Sequence, residues 1–125
     1  MREAFSAKGA ATVGPYSHAV AAGELVYLSG QTPIDPATGK LAAGDVAVQT
    51  GQCFDNLAKV LAAAGLALDD VVKVNVFLTD MGDFTAMNAV YATRFTAPYP
   101  ARSTVGVAAL PLGARVEIEM IARRG

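Results

Sequence analysis

The sequence predicts an α+β fold in a single domain spanning residues 1–125: one sheet with two helices on the same face. Three observations carry this. Two segments repeat their apolar residues at the three-and-four spacing of a helix face, and the other apolar segments alternate with a period of two. The segments also follow one another as strands, helix, strand, helix, strands. A chain of 125 residues is long enough for one proper core and too short for two.

Taken in order, Ser17 to Ala21 and Leu25 to Ser29 flank Gly23-Glu24 as a hairpin, and Asp35-Pro36-Ala37-Thr38-Gly39 follows as a loop. From Val46 the apolar positions Cys53, Phe54, Leu57, Val60, Leu61 and Ala64 form one helix face, with Asp45 as N-cap and Gly65 as the stop. In Val72 to Leu78 the even positions are aliphatic, while Lys73, Asn75 and Phe77 face the other way. Phe84, Met87, Val90, Tyr91 and Phe95 define the second helix, opened by Asp83 as N-cap. Of the last two strands, one sets Ser103, Val105 and Val107 against Arg102, Thr104 and Gly106. The other sets Val116, Ile118 and Met120 against Arg115, Glu117 and Glu119, after a turn at Leu110-Pro111-Leu112-Gly113. There is no internal repeat, low-complexity segment or linker.

Two helices on one side can cover only the aliphatic face. The opposite face is therefore expected to carry Lys73, Phe77, Arg102, Thr104, Glu117 and Glu119 together. Arg102 matters most among these, because a permanent charge in a strand that reads as interior needs a partner. It is either half of an internal ion pair with Glu117 or Glu119, or the receptor for an anionic ligand. A polar layer of this kind, with no helix above it, points to closure by another subunit.

Composition excludes several classes of function. Ten basic residues against eleven acidic ones leave a net charge of −1, so no field gathers nucleic acid or an anionic membrane. The lone Cys53 rules out an intramolecular disulfide, and with the single His18 it leaves too few soft ligands for zinc. A reducing compartment and chemistry without a metal are expected. Met1 to Lys8 lacks the apolar stretch of a signal peptide, and the apolar run Val60 to Leu68 falls short of the ~18 residues of a membrane span. The expectation is a soluble, cytoplasmic protein. His18 reads as a strand residue at a surface or interface, and Cys53 as an inert small hydrophobe on the buried helix face.

Gly14-Pro15-Tyr16-Ser17, Leu28-Ser29-Gly30-Gln31, Asp83-Phe84 through Asn88, and Pro100-Ala101-Arg102-Ser103 followed by Val116-Glu117-Ile118-Glu119 together form a specific set. Over essentially its whole length the chain resembles the reactive intermediate deaminase A (RidA) family, formerly called YjgF and often described as endoribonuclease L-PSP. The resemblance implies a chorismate-mutase-like α+β fold, a mixed sheet with two helices on one face, and a homotrimer whose sheets line a central barrel with three clefts between subunits. It implies hydrolysis of enamines and imines to 2-keto acids and ammonia without a cofactor. It places the carboxylate-gripping arginine on Arg102, the water-associated carboxylate on Glu117, and the remaining pocket residues on Tyr16, Ser29, Gly30 and Asn88.

The chemistry of these residue types agrees with those roles. A 2-imino acid is small, planar and carboxylated, and a guanidinium binds a carboxylate through two parallel hydrogen bonds in a fixed plane. Hydrolysis of C=N needs an oriented water and a proton for the departing nitrogen, both within the competence of one carboxyl group. Each residue has a plainer reading as well. Tyr16 suits a packing aromatic as much as a pocket wall, Ser29 and Gly30 suit a strand end, and Asn88 suits a capping or interhelical hydrogen bond; Glu119 reads as structural. Two departures from the family pattern stand out: Thr104 where many members have cysteine, and a short loop at Ala97-Pro98-Tyr99. A non-catalytic regulatory binding trimer is the alternative. A ribonuclease or translation inhibitor is disfavoured by the balanced charge, the lack of a basic, aromatic-interleaved surface and the lack of a histidine pair.

Overall fold

A computed structural model of the protein describes residues 2–10 and 14–125. Six strands form the main sheet: β1 (Glu3–Phe5), β2 (Ala19–Ala22), β3 (Leu25–Gln31), then β6 (Val71–Leu78), β7 (Ala101–Gly106) and β8 (Val116–Arg123), in the spatial order β1-β2-β3-β8-β6-β7. The expected loop is a turn at 36–39, in which Asp35 Oδ1 accepts the Ala37 N–H at 2.9 Å, and two short strands not expected from the sequence, β4 (Ile34–Asp35) and β5 (Lys40–Leu41), flank it as a second sheet. All pairings in the main sheet are antiparallel except β6 with β7. The predicted hairpin is β2–β3. It turns through Gly23, whose φ of +61° suits the first central position of a two-residue turn.

Helix α1 (Val46–Ala63) starts and stops where its caps place it. Asp45 Oδ1 accepts the Val48 N–H at 3.1 Å, and Gly65 takes φ +75° while Leu66 N–H reaches back to the Leu61 carbonyl at 2.8 Å. Its stripe Cys53, Phe54, Leu57, Val60 and Leu61 is fully buried against the sheet residues Val26, Leu28, Val74, Val76, Val116 and Ile118. Each such Leu, Val or Phe contributes roughly 1.5–3 kcal/mol of transfer free energy, so this face anchors the fold.

Helix α2 (Phe84–Arg94) starts where expected but lacks the expected side-chain cap. Asp83 occupies the cap position without capping. Its carboxylate instead takes Arg115 Nη2 at 2.7 Å and Nε at 3.2 Å, and Asp80 caps the preceding turn by accepting the Gly82 N–H at 2.8 Å. A bidentate guanidinium is a stronger partner for a nearly buried carboxylate than a backbone N–H.

Two bulges and one register change which residues face the helices. Between Leu28 and Gln31 strand β3 carries one residue more than β8 does between Met120 and Ile118, which turns Gln31 into the core. A similar irregularity between Val71 and Lys73 pushes Val72 out to 43 % exposure, against its expected place among the aliphatic inward positions. The parallel register of β7 pairs Arg102 with Val74 and Thr104 with Val76, both core positions, and Val105 with Phe77. Arg102 and Thr104 therefore lie on the helix-covered face, and Val105 is exposed on the open one, the reverse of the expectation from apolarity. A strand's alternation shows that it has two faces; its register decides which is inside.

Candidate active site

The predicted site residues fall into two groups on opposite faces of the sheet. On the open face Glu117 rises from β8 into a cavity of about 310 Å³ lined by Tyr16, Ser29, Gly30, Thr32, Pro111 and Glu117 itself. The bulge in β3 brings the Gly30 backbone against its carboxyl: a Cβ built at Gly30 would stand 2.5 Å from Glu117 Oε2 and 2.9 Å from its carboxyl carbon. Glycine leaves room for the carboxylate there, since any side chain would have to push the end of Glu117 out of its place. Ser29 Oγ donates to the Ser17 carbonyl at 2.7 Å, and Ser29 N–H to the His18 carbonyl at 2.9 Å, which ties the end of β3 to the segment presenting Tyr16.

Burial raises the Glu117 carboxyl above the ordinary carboxylate range, and the like charge of Glu119 raises it further. Glu119, read from sequence as structural, thus acts electrostatically on its neighbour. A carboxyl poised closer to neutrality is better matched to moving protons than an exposed one.

On the other face Arg102 opens into a cavity of about 440 Å³ lined by Asn88, Tyr91, Ala92, Tyr99, Pro100 and Arg102. Its Nη1 donates to Asn88 Oδ1 at 2.6 Å, and its guanidinium carbon lies 4.6 Å from the centre of the Tyr91 ring and 5.6 Å from that of Phe84. Among the described residues it forms no salt bridge. The internal ion pair with Glu117 or Glu119 is therefore corrected: the carboxylates are on the far face. The groups that hold Arg102 are a neutral amide and two aromatic rings, which orient the cation and leave its charge uncompensated.

Several features were not foreseen. Tyr91 and Phe84 could have been found, since Phe84, Asn88 and Tyr91 stand at i, i+4 and i+7 on one helix face. The Asp83–Arg115 pair, Thr32 and Pro111 carry no such signal. His18 is corrected from a surface or interface residue to a buried one, 4 % exposed, whose Nδ1 accepts the Ala7 N–H at 3.1 Å. Cys53 is buried as expected. Its Sγ lies 3.2 Å from the Gln31 carbonyl, and burial, with a smaller push from Glu117, drives the thiol far above its ordinary range. Among the described residues no group of three or more His, Cys, Asp or Glu could hold a metal ion, and no helix is long and apolar enough to cross a membrane.

An α+β sheet with both helices on one face and a cavity on either side defines the class, and comparison with known proteins defines the family. The family described as Endoribonuclease L-PSP matches residues 7–124, and the chain belongs to it. The chain is similar to Protein DfrA of Myxococcus xanthus, 52 % identical over 88 % of this chain and 86 % of that one. It is also similar to the 2-iminobutanoate/2-iminopropanoate deaminase of Bos taurus, 47 % identical over 96 % of this chain and 88 % of that one. Among solved structures, RidA from the Antarctic bacterium Psychrobacter superposes with a TM-score of 0.93 at 47 % identity, covering 98 % of this chain and 99 % of that one.

Proposed function

We propose that the protein hydrolyses 2-imino acids of the 2-iminobutanoate and 2-iminopropanoate kind to 2-keto acids and ammonia, with no cofactor, in the cytoplasm. The observation that carries this reading is the state of Arg102: a half-buried guanidinium, oriented by Asn88 Oδ1 and two rings, with no carboxylate partner among the described residues. A cation so placed is a receptor for an anion, and the fork of N–H groups not taken by Asn88 suits a planar carboxylate. The mammalian relatives named as imine deaminases support the choice of substrate.

In this reading the substrate carboxylate lies against Arg102, and a water beside Glu117 adds to the C=N carbon. Starting from the protonated imine, the Glu117 carboxylate accepts a proton from that water as its oxygen bonds to carbon, and returns it to the nitrogen of the carbinolamine. As the C–N bond breaks, the hydroxyl proton passes to the carboxylate and on to the departing ammonia, leaving the 2-keto acid and ammonium. The protonated imine is already electrophilic, so positioning supplies most of the acceleration.

Arg102 and Glu117 of one chain point to opposite faces, so a single small substrate meets both only if two chains contribute. We therefore propose a homotrimer in which the Asn88–Arg102 pocket of one subunit closes on the Tyr16, Ser29, Gly30 and Glu117 pocket of the next. A monomeric mass by light scattering at micromolar concentration would remove the shared site. RNA cleavage, named in the family's description, is disfavoured here by the net charge of −1 and by a lone His18 engaged through Nδ1.

The decisive variant is Asn88→Asp. It keeps shape and hydrogen bond but places a counter-charge 2.6 Å from the guanidinium. Affinity for 2-ketobutyrate is expected to fall about ten- to a hundredfold while the fold is kept. Undiminished affinity would move carboxylate recognition away from Arg102. Release of 2-ketobutyrate from threonine and threonine dehydratase, with and without the protein, measures turnover. Keto-acid binding without faster release would replace the enzyme by a binding trimer.

A further inference from the structure

One hydrogen bond to Asn88 fixes a point on the Arg102 guanidinium and leaves its plane free to turn. Bidentate grip of a carboxylate needs that plane. We propose that Tyr91 is the positioning residue that sets it, with Phe84 in a lesser part; this rests on the reading of Arg102 as carboxylate receptor. The Tyr91 ring is the nearer of the two, 4.6 Å from the guanidinium carbon against 5.6 Å for Phe84. The guanidinium carbon lies over the face of the Tyr91 ring, and a π face restrains the cation without taking up its N–H groups as an acceptor oxygen would, so it orients without competing.

Tyr91 is itself held rigidly. It is 6 % exposed, meets Phe54 edge-on at 5.7 Å and 73°, and lies tilted on Phe95 at 5.0 Å and 47°. Through these contacts the guanidinium plane is referred to the core between α1 and α2 rather than to the edge strand that carries Arg102. The Tyr91 hydroxyl is buried and has no hydrogen-bond partner among the described residues. A buried hydroxyl left unpaired is a cost to the fold, so the ring is the part that serves the site. Tyr91→Phe should keep ligand affinity, and Tyr91→Leu should weaken it.

The test compares 2-ketobutyrate affinity by calorimetry for the parent, Tyr91→Phe, Tyr91→Leu and Phe95→Leu, with thermal melting for each. Phe95 touches Tyr91 and Phe54 in the same cluster but makes no ring contact with Arg102, so its truncation reports the purely structural loss. Tyr91→Leu is expected to weaken binding about tenfold, as a raised KM with kcat changed far less. Tyr91→Phe is expected within about twofold of the parent, and Phe95→Leu is expected to melt lower yet bind as the parent does. Equal binding by Tyr91→Leu, or equal weakening by Phe95→Leu, would overturn the proposal. If the parent bound no keto acid, the receptor reading would fail, and positioning would be judged by NMR alone. The Arg102 Nε–H signal should lose its ring-current shift and order in Tyr91→Leu and keep both in Tyr91→Phe; an unchanged signal in Tyr91→Leu would overturn the proposal in that case too.

Discussion

The two cavities differ in how they keep a charged group ready. On the open face the Glu117 carboxyl is crowded by the Gly30 backbone and pushed toward its neutral form by burial and by Glu119. On the helix face Arg102 is steadied by Asn88, Tyr91 and Phe84 and keeps its full charge. Had both stood on one face, as the alternation of their strands suggests, the two charges would have shared one polar layer across β6. The sheet between them prevents that, so each half remains available to something from outside the chain.

The sharpest way to break the comparison is to remove the cation. Arg102→Ala is expected to lower kcat/KM about a hundred- to a thousandfold, the worth of a charge-assisted bidentate pair. Arg102→Lys should recover little, since it restores charge without the plane. Steady-state hydrolysis of 2-iminobutanoate at the parent rate by Arg102→Lys would assign the carboxylate to another residue.

Glu117→Gln attacks the other half. Loss of the proton-relaying carboxylate should reduce kcat about a hundred- to ten-thousandfold, with 2-ketobutyrate affinity retained in the Arg102 pocket. Stability should move the opposite way. With the folded value raised above the unfolded one, the contribution of protonated Glu117 is full below the ordinary carboxylate range and is lost as pH rises through the raised value. The glutamine variant should therefore unfold at higher denaturant than the parent near neutral pH, and this advantage should vanish in acid. Unchanged hydrolysis with intact binding would leave a site that works by positioning alone.

Gly30→Ala probes geometry with the charge kept. The added methyl must displace the carboxyl it would meet at 2.5 Å, and a misplacement of that order is expected to cost about ten- to a hundredfold in kcat. A parent-like kcat would mean that the position of Glu117 is unimportant. Glu119→Gln is the smallest change. Removing the like charge lets the Glu117 carboxyl fall back toward its ordinary range, so the acid limb of the kcat/KM profile should shift to lower pH. A shift to higher pH would contradict the cause assigned here.

Much of the fold could be read from local chemistry. The caps Asp45 and Gly65 and the stripe from Cys53 to Leu61 describe α1 completely, because capping and amphipathicity are written within a few residues of each other. Strand β8 also alternates as read, with Val116, Ile118 and Met120 inside and Glu117 and Glu119 outside. Asp83 misled because a distant arginine outbid a local N–H, and His18 because its partner, the Ala7 backbone, lies eleven residues away.

By itself, then, the sequence determined the two helices, the five longer strands of the main sheet and their order along the chain, the family to which the chain belongs, and the six residues to which the family's pattern points. Short-range spacing and side-chain type suffice for all of these. Only the tertiary structure decided which of the six residues stand together. A parallel register between β6 and β7 sent Arg102 under α2 and away from Glu117, and a one-residue bulge in β3 set Gly30 against the carboxylate. Side chains on a strand change face with every residue, so a shift of one position in pairing reverses the outcome, and pairing between strands far apart in the chain leaves no local trace.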